Sequence, residues 1–321
     1  MTTMKTMTIE TNGARRVPRR VCGVVVVLML LLGVAPTAQA KLRVAATIET
    51  LADLARQVGG DRVEVEALSR GTQDPHFVPA KPSLVLLLNR ADALVFVGLD
   101  LEVGWLPPLV QQSRNARIQL GQTGSIDCSS AIHARDIPNV PADRMRALGD
   151  VHPLGNPHYW IPPDSALEIA RLLAKRLTAL DAPGAATYAT RLREFEQRLQ
   201  GRTTDWARRA APLKGMKVVT YHKSWSYLSR WLGLDEVGTI EPKPGIPPTA
   251  NHTGQLITTM KQQGAKAILL ELFYPSNLAA VIGRETGARV VAVPTDVGAT
   301  PAIKTYFDLV EAVLTALGAG K

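Results

Sequence analysis

Residues 185–211 read AATYATRLREFEQRLQGRTTDWARRAA, and this stretch points to the fold class. Its apolar residues recur at nearly helical spacing among charged neighbours, which predicts one long amphipathic helix. The apolar positions are Tyr188, Leu192, Phe195, Leu199 and Trp206. A helix of this length in the middle of a 321-residue chain is typical of a connector between two lobes.

Short apolar runs alternate with helical patterns on both sides of this helix. The predicted strands are 42–48, 63–68, 93–97, 217–221, 265–270 and 289–293, with an extended run at 235–241. The predicted helices are 50–57, 82–89, 105–112, 225–232, 251–263, 277–286 and a closing helix over 301–317, while Asp164 is expected to cap a helix through Ala179. Such alternation is typical of doubly wound α/β folds with buried parallel sheets. The sequence therefore predicts two doubly wound α/β lobes joined by one long connecting helix.

The expected organisation has four segments. Residues 1–40 form an N-terminal leader, 41–163 an N-terminal lobe, 164–213 a connecting helical segment, and 214–321 a C-terminal lobe. The stretch between residues 121 and 157 is polar and carries Pro and Gly, and the pattern of predicted elements changes after it.

The formal net charge of +9 invites a nucleic-acid interpretation. Part of that charge lies in the leader, since residues 1–40 hold five basic residues and one acidic residue. The remainder has 32 basic and 27 acidic residues, scattered without a Lys/Arg-rich stripe or interleaved aromatic residues. We therefore expect no nucleic-acid partner.

The first 40 residues have the pattern of a secretory signal peptide. Four arginines precede a 14-residue apolar run at 21–34, and Ala38-Gln39-Ala40 follows as a small-residue cleavage site. A transmembrane anchor is the alternative, but it needs about 20 apolar residues. We expect export to the periplasm, cleavage after Ala40 and a soluble, monomeric mature protein.

Cys128 is the one cysteine after the leader, so the mature chain cannot form an intramolecular disulfide. It is flanked by Asp127 and Ser129 in a polar stretch. We expect a surface or half-buried thiol that is not a metal ligand.

Polar side chains follow several predicted strands at the point where each strand ends. His76 follows the second strand, His222 directly follows Tyr221, and Asp296 follows the strand at 289–293. Ligands of open α/β sheets bind outside the carboxyl ends of the strands, so these groups have a shared place to converge. His158, which precedes the connector, is the candidate from the first lobe. No local zinc motif such as H-E-x-x-H or C-x-x-C is present, so these patterns alone leave a structural role open for each histidine.

Several longer motifs carry a family resemblance. They are Asp74-Pro75-His76, the run ADALVFVGLDLE at 91–102, Asn156-Pro157-His158-Tyr159-Trp160, YHKSWSY at 221–227, and Thr295-Asp296. The chain resembles the zinc-type solute-binding proteins of metal ABC transporters, the cluster A-I family of ZnuA-, AztC- and TroA-like proteins. The likeness covers essentially the whole mature chain in order.

The resemblance implies a two-lobed binding protein that holds Zn²⁺ as bound cargo in its cleft and delivers it to an ABC permease at the inner membrane. A periplasmic metallochaperone is a further partner that it allows. The implied metal ligands are His76, His158, His222 and Asp296, and no catalytic residue is implied. Three imidazoles and one carboxylate suit tetrahedral Zn²⁺.

Two departures and several alternatives remain. Many zinc members carry a long His- and acid-rich loop, whereas residues 127–155 contain only His133 and His152. The fourth ligand varies in the family, so Glu271 or a water could replace Asp296. We expect His152 to be a solvated loop residue, with transfer of metal inward as the alternative. We expect His252 to belong to the first turn of a helix, with a metal role as the alternative. Trp160, Trp225 and Tyr227 are expected to pack around the site.

Two alternative functions remain open. One is a secreted zinc-dependent hydrolase. The other is a manganese or iron binder of the same fold, although such relatives place a carboxylate at the position of His222.

Overall fold

The computed structural model describes residues 1–4, 6, 8, 40–139, 152–243 and 245–318. Residues 41–321 form one compact unit, and within it two four-stranded parallel sheets are joined by a long helix. The predicted fold class is therefore confirmed. The arginines and the apolar run of the predicted signal peptide lie outside the described residues.

The first lobe is built on a parallel sheet with the strand order β2-β1-β3-β4. Its strands are β1 (Leu42–Ala46), β2 (Val63–Ala67), β3 (Ala93–Phe96) and β4 (Ser125–Asp127), and its helices are α1 (Glu49–Gly59), α2 (Pro82–Arg90) and α3 (Leu106–Ser113). Along β1, Val44 and Ala46 face one hydrophobic cluster and Ala45 faces another. Both faces of the sheet are covered, which explains why its strands are apolar rather than alternating.

Two helices follow the first lobe, α4 (Pro163–Leu180) and the connector α5 (Ala185–Ala210). The buried residues of α5 include Tyr188, Phe195 and Trp206. Its rings reach the closing helix, because Phe195 and Trp206 lie 5.7 and 6.1 Å, between ring centroids, from Phe307. The apolar stripe predicted from the sequence is thus the face by which the connector joins the core.

The second lobe repeats the strand order of the first, β6-β5-β7-β8. Its strands are β5 (Lys217–Thr220), β6 (Asp235–Thr239), β7 (Ala267–Glu271) and β8 (Arg289–Val293), and its helices are α6 (Ser226–Leu232), α7 (Ala250–Gln263), α8 (Asn277–Thr286) and α9 (Tyr306–Leu317). In each sheet the first strand in the chain, β1 or β5, lies inside the sheet, with the second strand on one side and the third on the other. The direction in which strands are added therefore reverses beside β1 and beside β5. Ligands of such sheets bind at the carboxyl ends beside this reversal.

The structure corrects three details of the predicted elements. The N-cap position of α4 is Pro162, so Asp164 lies in the first turn and is not the cap. The closing helix α9 begins at Tyr306 rather than Pro301, because Thr305 and Asp308 form a reciprocal capping box. The short strand β4 lies in the polar stretch at 121–157, where the sequence pattern predicts no strand.

Cys128 is fully buried, so its predicted surface or half-buried position is wrong. The polar neighbours satisfy one another, since the Asp127 carboxylate accepts hydrogen bonds from the Ser129 backbone N–H and hydroxyl. The Cys128 side chain therefore packs in the core while its polar neighbours bond to each other. Burial raises the pKa of its thiol.

Within the part of the chain that the structure describes, no helix is long and apolar enough to cross a bilayer.

Candidate metal centre

Three histidines from distant parts of the chain meet at the carboxyl ends of the two sheets. His76 lies in the loop after β2, His158 in the segment before α4, and His222 follows β5. One ring nitrogen of each lies within 4.8 Å of a ring nitrogen of the others. The ring centroids are 5.0 Å apart for His76 and His158, and 5.3 Å apart for each of these rings and His222. In the described ranges, no other group of three His, Cys, Asp or Glu side chains meets this spacing.

A repeated Asx-Pro-His tripeptide orients the two first-lobe histidines. The Asp74 carboxylate oxygen Oδ1 accepts hydrogen bonds from the His76 backbone N–H at 3.0 Å and from its Nδ1 at 2.7 Å. Asn156 Oδ1 does the same for His158, at 3.0 and 2.9 Å. Because these oxygens only accept, Nδ1 carries the hydrogen of each ring and Nε2 keeps its lone pair.

Glu241 plays the same part for the second-lobe histidine. It follows β6, the strand beside β5, and its Oε2 accepts a hydrogen bond from His222 Nδ1 at 2.8 Å. All three rings therefore have Nδ1 held by an oxygen acceptor, which is how proteins fix the orientation and raise the basicity of metal-ligating histidines.

The local electrostatics favour a neutral His158 and an ionised Asp74. Burial, followed by the nearby His76 and His222, lowers the pKa of His158 well below its ordinary value. Burial also acts to raise the pKa of Asp74, but its hydrogen bond and charge interaction with His76 outweigh this effect and leave that pKa low. Nε2 of a neutral imidazole such as that of His158 can bind a cation.

Asp74, Asn156 and Glu241 were missed as functional residues at the level of sequence. For Asp74 and Asn156 a signal was present, since the same Asx-Pro-His tripeptide occurs twice in the chain. Glu241 had no local signal, because it lies 19 residues from His222 and reaches it only through the pairing of β5 with β6.

We expect Asp74→Ala to weaken metal binding by about 10- to 100-fold, because the substitution frees the His76 ring to rotate without removing a ligand. Asp74→Asn keeps an oxygen acceptor and should lose less. Competition titration with a chromophoric chelator measures both. The exposed Asp61 provides a matched control, and an Asp61→Ala variant that lost as much as Asp74→Ala would contradict the orienting role.

Large aromatic side chains enclose the cluster. Trp160 and Trp225 are buried and line one cavity together with the three histidines and Tyr274. Trp160 Nε1 donates a hydrogen bond to the Thr295 carbonyl at 2.7 Å, which connects the start of α4 to the loop after β8. The surroundings are apolar and hold the rings in place, as expected for these tryptophans.

The structure does not bring Asp296 into the histidine group. Its carboxylate instead accepts hydrogen bonds from the backbone N–H groups of Glu49 and Thr50, at 3.2 and 2.7 Å, and from the Thr50 hydroxyl. Asp296 thus joins the loop after β8 to the N-terminus of α1, where a carboxylate is favourably placed. Burial raises its pKa to about 7. Metal ligation by Asp296 requires its carboxylate to exchange some of these partners.

Glu271, at the end of β7, lies beside the three histidines in the same cavity. One carboxylate oxygen accepts a hydrogen bond from Ser224, and the other is buried without a hydrogen-bond partner among the described residues. Burial raises the pKa of Glu271 to about 8. Of the two candidate carboxylates, Glu271 is the one with an unused oxygen at the cavity.

The remaining histidines differ from one another. The expectation that His152 is solvated is wrong, because it is only 8% exposed and its ring stacks on His76 with centroids 5.4 Å apart. Burial, followed by the nearby His76 and His222, lowers its pKa to about 3. His133 is exposed. His252 lies in the first turn of α7, and its Nε2 is 3.0 Å from the Thr239 carbonyl oxygen.

Comparison with known proteins agrees with a metal centre. A family model described as "ZnuA: Zinc-uptake complex component A periplasmic" matches residues 44–320. The high-affinity zinc uptake system protein ZnuA of Yersinia pestis is 25% identical over 253 residues, which cover 74% of this chain and 78% of that protein. The manganese ABC transporter substrate-binding lipoprotein PsaA of Streptococcus pneumoniae is 21% identical over 261 residues, 80% of each protein. A crystal structure of ZnuA has a TM-score of 0.69 at 24% identity, covers 88% of this chain and 100% of that one, and shows the same fold.

Proposed function

This chain belongs to the ZnuA family of periplasmic zinc-uptake components, and from that premise we propose that it captures Zn²⁺ in the periplasm for import by an ABC permease. Family membership makes it a metal-binding component of an ABC transporter and not an enzyme. The alternative of a secreted zinc-dependent hydrolase is therefore wrong. Zinc as the cargo, the periplasm as the location and the ligand set are the proposed parts.

One observation carries the choice of zinc. His76, His158 and His222 converge with every Nδ1 bound to an oxygen acceptor, which leaves three Nε2 atoms as donors. Neutral imidazoles suit Zn²⁺, whereas Mn²⁺ prefers carboxylate, carbonyl and water oxygens. A three-nitrogen set in a tight, apolar cavity supports zinc.

We propose His76, His158, His222 and Asp296 as the ligands, with Glu271 as the competitor for the fourth position. The family resemblance supports Asp296, while the unpaired buried oxygen supports Glu271. The two carboxylates differ in their structural roles, because Asp296 also accepts a hydrogen bond from the backbone N–H of Thr50 at the start of α1. This difference makes them separable by experiment.

We expect Asp296→Ala to lower the free energy of unfolding of the metal-free protein by about 1–3 kcal/mol, because the backbone N–H groups of Glu49 and Thr50 at the start of α1 lose their acceptor. Urea unfolding measures this loss. Asp296→Asn keeps an oxygen acceptor and should retain part of the stability. An unchanged stability in Asp296→Ala would show that the carboxylate is not needed at α1.

Zinc titration of the same variant and of Glu271→Ala decides the fourth ligand. The carboxylate that binds the metal is the one whose removal lowers the zinc affinity. If both variants bind zinc as the wild type does, the fourth position belongs to water and the proposed set shrinks to three histidines.

Elemental analysis tests the cargo directly. Protein purified from the periplasm without chelator should contain one equivalent of zinc. Saturating zinc, at a thousandfold excess over Kd, should add about 4 kcal/mol to the free energy of unfolding. A melting temperature that does not respond to zinc would rule out the proposed function.

Manganese is the second candidate cargo, because the relative PsaA is named as a manganese-binding component and covers 80% of this chain. Competition between the two ions on the wild-type protein separates the candidates. Preference for manganese would replace zinc in the proposal and leave the transporter role in place.

We also propose that residues 1–40 direct export and are removed after Ala40. The basic start, the apolar run and Ala38-Gln39-Ala40 support this proposal. Mass spectrometry of the periplasmic protein should give an N-terminus at Lys41, and a retained leader would contradict it.

A further inference from the structure

The side-chain amide of Asn156 contacts both lobes. Within the first lobe, its Oδ1 accepts the hydrogen bonds of the His158 backbone N–H and Nδ1. On its other side, Nδ2 donates a hydrogen bond of 2.8 Å to the backbone carbonyl of Lys223, the residue directly after His222 in the second lobe. Asn156 is only 6% exposed. One buried side chain therefore joins the support of His158 to the segment that carries His222.

The surrounding groups determine which end of this amide is oxygen and which is nitrogen. The His158 backbone N–H can only donate, so it requires the oxygen. The other end lies 2.8 Å from the Lys223 carbonyl and 3.2 Å from the Asp136 carboxylate, which can only accept. Ser226 Oγ, 3.4 Å away, gives its own hydrogen to Asp136 and also presents a lone pair. A flipped amide would oppose all of these groups, so the orientation is fixed.

Comparison with Asp74 shows that the orienting task alone does not need an amide. The Asp74 carboxylate accepts hydrogen bonds from the His76 backbone N–H and Nδ1 in the same way, at 3.0 and 2.7 Å. Its other oxygen has a longer contact with the second lobe, 3.5 Å from the Tyr274 hydroxyl. A carboxylate cannot donate. The donor hydrogens of Asn156 therefore serve the contact with the second lobe and not the orientation of the His158 ring.

A second side chain from the other lobe contacts the same segment. Tyr227, in α6, donates its hydroxyl hydrogen to the Asn156 backbone carbonyl at 3.0 Å and accepts a hydrogen bond from the Arg135 backbone N–H at 2.9 Å. Its ring packs against Tyr159 with centroids 6.1 Å apart. The backbone and the side chain of Asn156 are thus each bonded to the second lobe, close to both histidines.

We propose that Asn156 is a positioning residue that fixes His158 and His222 relative to each other, so that their ring nitrogens stay within reach of one metal ion. This inference rests on the proposed zinc function and ligands. The oxygen of the amide sets the rotation of the His158 ring, and its nitrogen sets the place of the segment after His222. Histidines whose donor atoms already lie within 4.8 Å of one another lose little conformational freedom when a cation binds, which strengthens binding.

The substitution Asn156→Asp separates the two tasks of the side chain. Aspartate still offers an oxygen to His158, as Asp74 does to His76, so a purely orienting role predicts unchanged or tighter zinc binding. The positioning role predicts the opposite, a loss of about tenfold, because a carboxylate oxygen would face the Lys223 carbonyl. Competition titration with a chromophoric chelator measures the Zn²⁺ affinity, and stopped-flow transfer of Zn²⁺ to the chelator measures whether release becomes faster.

The His222→Ala background tests whether this loss acts through the second lobe. Without the His222 ring, the place of the Lys223 segment no longer affects the donor set. Asn156→Asp should then change the remaining zinc affinity by less than about threefold. Equal losses in both backgrounds, or no loss in the wild-type background, would overturn the inference. The double variant Asn156→Asp/Asp136→Asn removes the repulsion between two carboxylates and should retain the loss.

Asn115 supplies the matched control, because it is a buried asparagine whose Nδ2 donates to the Leu88 and Ala91 carbonyls, at 2.8 and 2.7 Å, within the first lobe. Asn115→Asp should destabilise the metal-free protein in urea without changing the zinc affinity. A zinc loss equal to that of Asn156→Asp would show that general destabilisation explains both.

The variant Tyr227→Phe tests the same link from the other lobe and serves if Asn156→Asp does not fold. It removes one hydroxyl that bonds to Asn156 and leaves the amide and the ring in place. We expect a smaller loss of zinc affinity, which should also disappear in the His222→Ala background. A loss of the same size in both backgrounds would contradict the positioning role. Failure of the proposed function is distinguishable, because the wild-type protein itself would then bind no zinc.

Discussion

Replacing His76 or His158 by Ala is expected to weaken Zn²⁺ binding by more than about 100-fold. Loss of a residue that only orients a ligand typically costs 10- to 100-fold, so loss of the ligand itself should exceed that range. The geometry supports this expectation, because each ring has its Nδ1 bound elsewhere and only Nε2 remains for the metal. Competition titration against a chelator of known affinity provides the measurement.

His133→Ala and His252→Ala are the matched controls for this prediction. His133 is exposed, and His252 Nε2 lies within hydrogen-bond distance of the Thr239 carbonyl oxygen. Neither substitution should change zinc affinity noticeably. Comparable losses in all four variants would show that the metal site has been placed wrongly.

The second large effect concerns selectivity. We expect the wild-type protein to prefer Zn²⁺ over Mn²⁺ by several orders of magnitude, since Mn²⁺ lies at the weak end of the divalent series. His222→Glu should lower the zinc affinity and narrow the zinc-to-manganese ratio by about tenfold or more, because a carboxylate suits the harder ion. Parallel competition titrations with both metals measure the ratio.

The position of Glu241 sharpens the design of this experiment. A glutamate at position 222 would face Glu241, whose carboxylate now accepts the hydrogen bond of His222 Nδ1 at 2.8 Å. Like charges so close would weaken any metal site for a reason unrelated to ligand type. The double variant His222→Glu/Glu241→Gln removes that repulsion. An unchanged zinc-to-manganese ratio in both variants would mean that His222 is not a ligand.

Much of the fold could be predicted because local patterns and tertiary packing agree in it. The connector was predicted over 185–211 and runs from Ala185 to Ala210, since its apolar stripe is both a helical pattern and the buried face. The start of α9 differs from the prediction, because Pro301 is typical of a first turn but lies before the helix. The decisive signal was Thr305 and Asp308, whose side chains cap the helix. Strand β4 has three residues, too few for a periodic pattern.

Strand patterns alone predicted only those site residues that follow a predicted strand, because the position of a strand end in the fold follows from the order of the strands. Strand ends indicated His76 and His222, and the structure brings both into one group with His158. Their role as ligands stays a prediction, as does that of Asp296. The burial of His152 could not be predicted, because its ring stacks on His76, which lies far earlier in the chain. Glu241 depends likewise on the pairing of two strands.

The repeated Asx-Pro-His tripeptide means that two of the three histidines could be transferred to another protein more easily than the third, His222. Asp74-Pro75-His76 and Asn156-Pro157-His158 each contain the ligand, its orienting oxygen and a proline that limits the backbone. Each is a self-contained module that a protein engineer could graft onto the end of a strand in another scaffold and still present Nε2 outward. The His222 half cannot be moved in this way, because its orienting oxygen comes from a neighbouring strand. Transplanting the centre therefore means copying two tripeptides and rebuilding one strand pair.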